Sequence, residues 1–180
     1  MSGRPPFRAD VVGSLLRPPE LRQARASAAA ADTGGAELSA LEDRLIAEAV
    51  RKQERIGLKA VSDGEFRRSW WHLDFFAGLE GTELVAGEGR RFHGIQTRSD
   101  SIVINGKVGW ADHAMVGHFR YLARVAKVLP KMTISAPSVL HFRRGRNGIS
   151  RHIYPDLDEF FSDTARASRR AVGAFYQAGC

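Results

Sequence analysis

A chain of 180 residues is long enough for one domain with a sizeable core, and 43% hydrophobic with 26% charged residues is globular rather than disordered or fibrous. No apolar run approaches the roughly 18 residues that span a bilayer, and the N-terminal MSGRPPFRADVVGSLL carries charge where an export signal is apolar, so no export is expected. A lone Cys180 excludes an internal disulfide and a multi-thiolate metal site, which makes a reducing cytoplasm the default location.

In chain order, Arg8–Gly13 (RADVVG) reads as a short first strand. Pro18-Pro19-Glu20 opens a helix running to about Ala31, because proline suits the first turn and an acid suits the positive dipole end. Asp32–Gly35 breaks it. A second helix carries an S-x-x-E capping box at Ser39 and Glu42, apolar positions at Leu41, Leu45 and Ala49, and Gly57 where a C′ glycine belongs. The strand Leu58–Ser62 follows directly. Strand, helix, strand predicts parallel pairing through a right-handed crossover.

Beyond Glu65 the texture changes. Trp70, Trp71, Phe75 and Phe76 crowd together as core or lid packing does. Residues 78–112 read as a β-rich insertion, with strands at Thr82–Val85, Gly94–Thr97 and Ser101–Val108 and a hairpin turn at Asn105-Gly106. It is long for a loop and is expected to cover a site. Met115–Val128 returns to helix, which Pro130 ends. Lys131–Ser135 (KMTIS) reads as a third strand, an Arg-rich loop follows, and Asp156 and Glu159 cap a last helix with the stripe Leu157, Phe160, Phe161, Thr164, Ala171, Phe175 and Ala178. That helix and Gly179 lead to no further strand. Three βα units leave a parallel sheet with an open edge, so the expectation is the front part of a longer (β/α) chain.

The net charge of +7 is unevenly spread. Residues 1–60 hold ten basic and eight acidic side chains, whereas His113–Pro155 holds eight basic ones and no acid. The bland reading of Arg143, Arg144, Arg146 and Arg151 is a solvated loop; the sharper one is an anion-binding rim for a carboxylate or phosphate. Nucleic acid ranks third, for want of a zinc-finger spacing, an RNP-like strand or a basic heptad helix.

Phosphate-loop, dinucleotide, zincin and nucleophile-elbow motifs are missing. His72 with Asp74, and His113 with His118, have no zinc-site spacing. One stretch does carry chemistry: LKAVSDGEFRR, a buried strand ending in a glycine turn that presents Glu65. A carboxylate at a strand's carboxyl end can act as a base or hold an ammonium group; equally it can pair with Arg67 or Arg68. Ser14 can offer its hydroxyl or N–H to a substrate carboxylate, or simply serve a turn.

Together, VVGS (Val11–Ser14), QERIGL (Gln53–Leu58), SDGEFRR (Ser62–Arg68) and ISAPS (Ile134–Ser138) resemble the cobalamin-independent methionine synthases, most of all the shorter single-barrel bacterial relatives of their catalytic domain. The resemblance runs through nearly the whole chain in order. It implies an α/β fold, specifically the first three units of a (β/α)8 barrel. The implied activity is transfer of a methyl group from methyltetrahydrofolate to the thiol of homocysteine, with zinc holding the thiol as thiolate. It further implies that Val12, Gly13 and Ser14 meet the homocysteine carboxylate and Glu65 its amino group. The implied zinc ligands fall beyond Cys180, so no catalytic residue, no metal ligand and no activity are expected of this stretch alone. Its expected partners are small molecules, an amino-acid thiol and a folate, and no membrane. Asp63 stands where fuller members have His, and Trp70-Trp71 where they have polar residues. Alkyl transfer to a different thiol, or a non-catalytic basic binding module, are the alternatives.

Overall fold

The computed structural model describes residues 6–31, 35–86, 91–92, 95–96 and 100–180. The chain divides into two compact units: residues 1–68, 117–133 and 178–180 form one, and residues 69–116 and 134–177 the other.

In the first unit, α1 (Pro19–Ala31) begins as its prolines predict, with the Pro18 carbonyl accepting the N–H groups of Leu21 and Arg22. The following helix, α2 (Gly35–Arg55), starts four residues earlier than the Ser39 cap expected for it. Ser39 therefore lies inside the helix. Glu42 does not reach back to a backbone N–H; it is 8% exposed and takes guanidinium groups from Arg25 and Arg67. Two cations outbid one peptide donor. The C-terminus matches expectation: Gly57 has φ +88°. Its N–H bonds to the Glu54 carbonyl and that of Leu58 to Gln53, which is the paired closure of a Schellman motif.

Two strand assignments need correction. Residues 8–13 form no strand; Gly13 turns left-handed at φ +82°, and this segment is tied instead by Lys131, whose ammonium bonds Asp10 and the Val11 carbonyl. The third strand is β6 (Leu129–Pro130) rather than Lys131–Ser135, and it pairs in parallel with β1 (Ala60–Val61). Pro130 does not break this ladder because the bonds are made on either side of it, from the Leu129 N–H to Lys59 and the Lys131 N–H to Val61. Helix α4 (Ala114–Val125) accordingly stops well before the proline. Around β1 the core gathers Leu21, Leu45, Ile46, Val50, Phe66 and Leu122.

In the second unit, α3 (Leu73–Ala77) grows out of the aromatic cluster. Phe75 and Phe76 are each 2% exposed, as core packing predicts, but Trp71 stays 44% exposed. His113 organises this region. Its Nδ1 accepts the Met115 N–H, so Nε2 carries the proton to the Phe75 carbonyl at 2.9 Å, and its ring stacks on Trp110.

Strands β2 (Glu80–Val85) and β5 (Ser101–Gly109) pair antiparallel. The short β3 (Arg91–Phe92) and β4 (Ile95–Gln96) pair with each other; positions 94 and 97 of the expected strand, like 32–34 of the expected helix break, lie outside the described residues. Asn105-Gly106 is no hairpin turn. It sits within β5, in an irregularity where Gly81 alone faces residues 105–108. The Arg-rich segment is folded as well. Helix α5 (Ser138–Phe142) and a 3-10 turn (Gly145–Gly148) lead to Ile149, which bridges to Ile104. Helix α6 (Leu157–Gln177) packs on β5 and buries Phe160, Thr164, Ala171 and Phe175, while Phe161 stays out at 44% exposure. Asp156 caps the helix by accepting the Asp158 N–H, while Glu159 pairs with Lys107 instead of completing the box.

His72, next to Trp71, is 5% exposed, its ring centroid 4.4 Å from the indole, and its Nδ1 has no partner. Burial, then the Arg143 charge, pushes its pKa down to about 4. The unfolded chain takes up this proton near 6.5 and the folded chain only near 4, so folding stability falls as pH drops through that window. His72→Phe is expected to flatten this part of the pH profile in urea titrations between pH 7 and 4; an unchanged slope would assign it to other groups.

Candidate functional site

Gln53, in the last turn of α2, fixes the end of β1. Its amide donates to the Ser62 carbonyl at 2.9 Å and accepts the Ser62 N–H at 3.1 Å. The chain then turns sharply. The Asp63 carboxylate accepts the Glu65 N–H at 2.9 Å, and Gly64 and Glu65 adopt φ +65° and +56° in succession. Glu65 is the one non-glycine residue with positive φ among those described. An L-residue held there costs about 1–2 kcal/mol, and such strain persists only where its surroundings over-determine it.

Those surroundings are basic. Arg17 donates to the carbonyls of Glu65 (2.8 Å) and Arg68 (2.7 Å). Arg25 donates to the carbonyls of Arg68 and Phe66 and pairs with Glu42. Arg67 spans Glu42 and Asp43 and lies over the Tyr121 ring. The backbone from Glu65 to Arg68 is thus gripped from outside by guanidinium groups, each a charge-assisted donor.

Glu65 is 4% exposed. One oxygen accepts the Ser14 hydroxyl at 2.7 Å. The other accepts from the Thr133 hydroxyl at 3.2 Å and stands 3.4 Å from the Arg68 guanidinium, which also reaches the Thr133 carbonyl. Of the two expected ion-pair partners, Arg68 is the one that meets Glu65; Arg67 points elsewhere. Asp63 is buried nearby, and desolvation above all raises its pKa.

Of the four residues expected at the site, Ser14 and Glu65 are joined across 51 positions of sequence. Gly13 supplies the left-handed turn before Ser14, and Val12 is 81% exposed. The sequence reading missed Arg17, Arg25 and Thr133. Thr133 sat inside an expected strand, and no local pattern marks an arginine that will bond a distant carbonyl. Among the described residues no three His, Cys, Asp or Glu side chains gather as a metal ion requires, so the donor set here does not fit zinc.

No protein-family model matches the sequence. The uncharacterized protein YxjH of Bacillus subtilis (strain 168) is 43% identical over 177 residues, which are 97% of this chain and 46% of YxjH. A 5-methyltetrahydropteroyltriglutamate–homocysteine methyltransferase of Synechococcus sp. is 39% identical over 77 residues, 43% of this chain and 10% of that protein. A crystal structure from Listeria monocytogenes, provisionally described as a vitamin-B12 independent methionine synthase, superposes with a TM-score of 0.80 at 34% identity, covering 97% of this chain and 50% of that one. The chain therefore spans about half the length of YxjH and of the Listeria protein. Over almost its whole length, it is a relative of the B12-independent methionine synthases.

Proposed function

We propose that this chain forms the first three units of a (β/α)8 barrel and supplies the amino-acid-binding edge of an enzyme that methylates the thiol of homocysteine. The observation that carries the reading is the Ser14–Glu65 hydrogen bond at 2.7 Å. The two residues that the resemblance assigns to the two ends of one amino acid lie side by side. Glu65 is buried, but its partner Ser14 is exposed. A substrate ammonium group can take the place of the Ser14 hydroxyl at the carboxylate and exchange a neutral donor for a charged one. The displaced hydroxyl, beside the Gly13 turn, is then free to meet the substrate carboxylate. Thr133 and Arg68 hold the other Glu65 oxygen and so orient the carboxylate. The residues described here do not fit the zinc that activates the thiol in this chemistry, so no step through it is assigned to them. A folate methyl donor and a cytoplasmic location belong to the same proposal.

Calorimetric titration with homocysteine tests it, with 4-mercaptobutyrate, which lacks the amino group, as the control. The 180-residue chain is expected to bind homocysteine, and Glu65→Gln to bind it about tenfold more weakly or worse, a loss of about 1.4 kcal/mol. The control ligand should not distinguish the two proteins. Equal homocysteine binding by both, or none by the parent chain, would overturn the assignment.

A further inference from the structure

Lys131 joins two parts of the first unit that are far apart in sequence. Its N–H donates to the Val61 carbonyl at 2.8 Å, which seats it at the end of the β1–β6 pair. Its side chain turns back to the N-terminal segment, where the ammonium donates to the Asp10 carboxylate and the Val11 carbonyl. Two of its three N–H donors are engaged in this way.

The segment so held is the one that carries Gly13 and Ser14. It forms neither strand nor helix, and its side chains do little to fix it: Asp10, Val12 and Ser14 are all exposed. Backbone with few buried apolar contacts opens readily unless polar groups tie it down. Here it is tied on both sides of the turn. Lys131 holds it before Val12, and the Leu15 N–H donates to the Gly64 carbonyl at 3.1 Å after Ser14. Two residues beyond Lys131, the Thr133 hydroxyl donates to Glu65. One short segment after β6 therefore reaches both parts of the candidate site.

An ion pair with side chains 24% and 42% exposed adds little to stability. The second bond, to a backbone carbonyl, fixes position instead, because it places the peptide next to Val12. Binding groups have to be held to within about 0.5 Å by neighbours that are themselves fixed. We propose that Lys131 is a positioning residue: it sets where Gly13 and Ser14 stand, and so governs recognition of the carboxylate end of the amino-acid substrate as Glu65 governs the ammonium end. The inference rests on the substrate reading given above to Ser14 and Glu65.

Calorimetric titration with two cut-down ligands separates the ends. 4-Mercaptobutyrate keeps the carboxylate without the amine, and 3-aminopropane-1-thiol keeps the amine without the carboxylate. Lys131→Met is expected to bind homocysteine and 4-mercaptobutyrate at least about fivefold more weakly than the parent chain, the loss of one ordinary hydrogen bond. It should bind 3-aminopropane-1-thiol as the parent does. Glu65→Gln should reverse the order of the two cut-down ligands. Asp10→Asn, which keeps an acceptor oxygen and the Val11 bond, should lose less than Lys131→Met. A folded Lys131→Met that binds every ligand like the parent, or weakens on all of them alike, overturns the proposal and leaves the role of Glu65 standing. A parent chain that binds no homocysteine overturns both. If Lys131→Met does not fold, Asp10→Ala cuts the same tie from its exposed end and is judged by the same ligands.

Discussion

Arg68→Met is expected to destabilise the chain by about 3–5 kcal/mol, the cost of leaving one member of a buried ion pair without its partner. It should appear as a lower urea midpoint at unchanged slope when unfolding is followed by far-ultraviolet circular dichroism. Arg68 and Glu65 are 3% and 4% exposed. Without the guanidinium, the carboxylate keeps two hydroxyl donors, Ser14 and Thr133, but loses the cation 3.4 Å from its oxygen that offsets its desolvation. Methionine fills much of the space but gives up the bond to the Thr133 carbonyl. A double-mutant cycle with Glu65→Gln separates the pair from its surroundings. Removing both charges together should cost less than the sum of the single losses by roughly 1–3 kcal/mol. Additive costs would show that Glu65 does not depend on Arg68 for its burial.

That turn also shows where sequence reasoning reaches and where it stops. Helix α1, the Gly57 closure of α2 and the apolar stripe of α6 were legible because each depends on local spacing. The SDGE turn was legible too, since an Asx residue followed by glycine is a local signal. Its left-handed Glu65 was not legible, because no rule favours φ +56° in a glutamate. It follows from guanidinium groups at positions 17 and 25 that bond the turn's carbonyls from 40 to 50 residues away. The same holds at Glu42. Its spacing from Ser39 fits a capping box, but half-buried cations contributed from elsewhere claimed the side chain. The expected first strand that does not form and the displaced third one have a related cause. Strands as short as β1 and β6 are decided by which backbone groups find partners, and an apolar run says little about that.

Gly81→Ala is expected to cost roughly 2–5 kcal/mol, the sum of a left-handed alanine and a forced repacking. Gly81 has φ +74° and lies where the β2–β5 register slips between Glu80 and Thr82. A Cβ built there would stand 2.3 Å from the Lys107 carbonyl oxygen and 2.6 Å from the Gly106 carbonyl carbon. Both are backbone atoms, so no side-chain rotation relieves the clash. The opposing strand is close because Asn105-Gly106, a turn signal in sequence, is built in as a bulge, and a Cβ built on Gly106 would stand 2.9 Å from the Gly81 Cα. Two glycines without side chains let one residue face four. The bulge ends at Val108, whose N–H donates to the buried Tyr154 hydroxyl, itself bonded to Asp163 on α6. Pushing β5 outward at Gly81 would therefore loosen α6 as well. Trp70, Trp71 and Trp110 all belong to this unit, so tryptophan fluorescence in urea reports the loss directly. A variant within 1 kcal/mol of the parent, on the order of one ordinary hydrogen bond, would mean that the bulge yields without strain and does not set the position of α6.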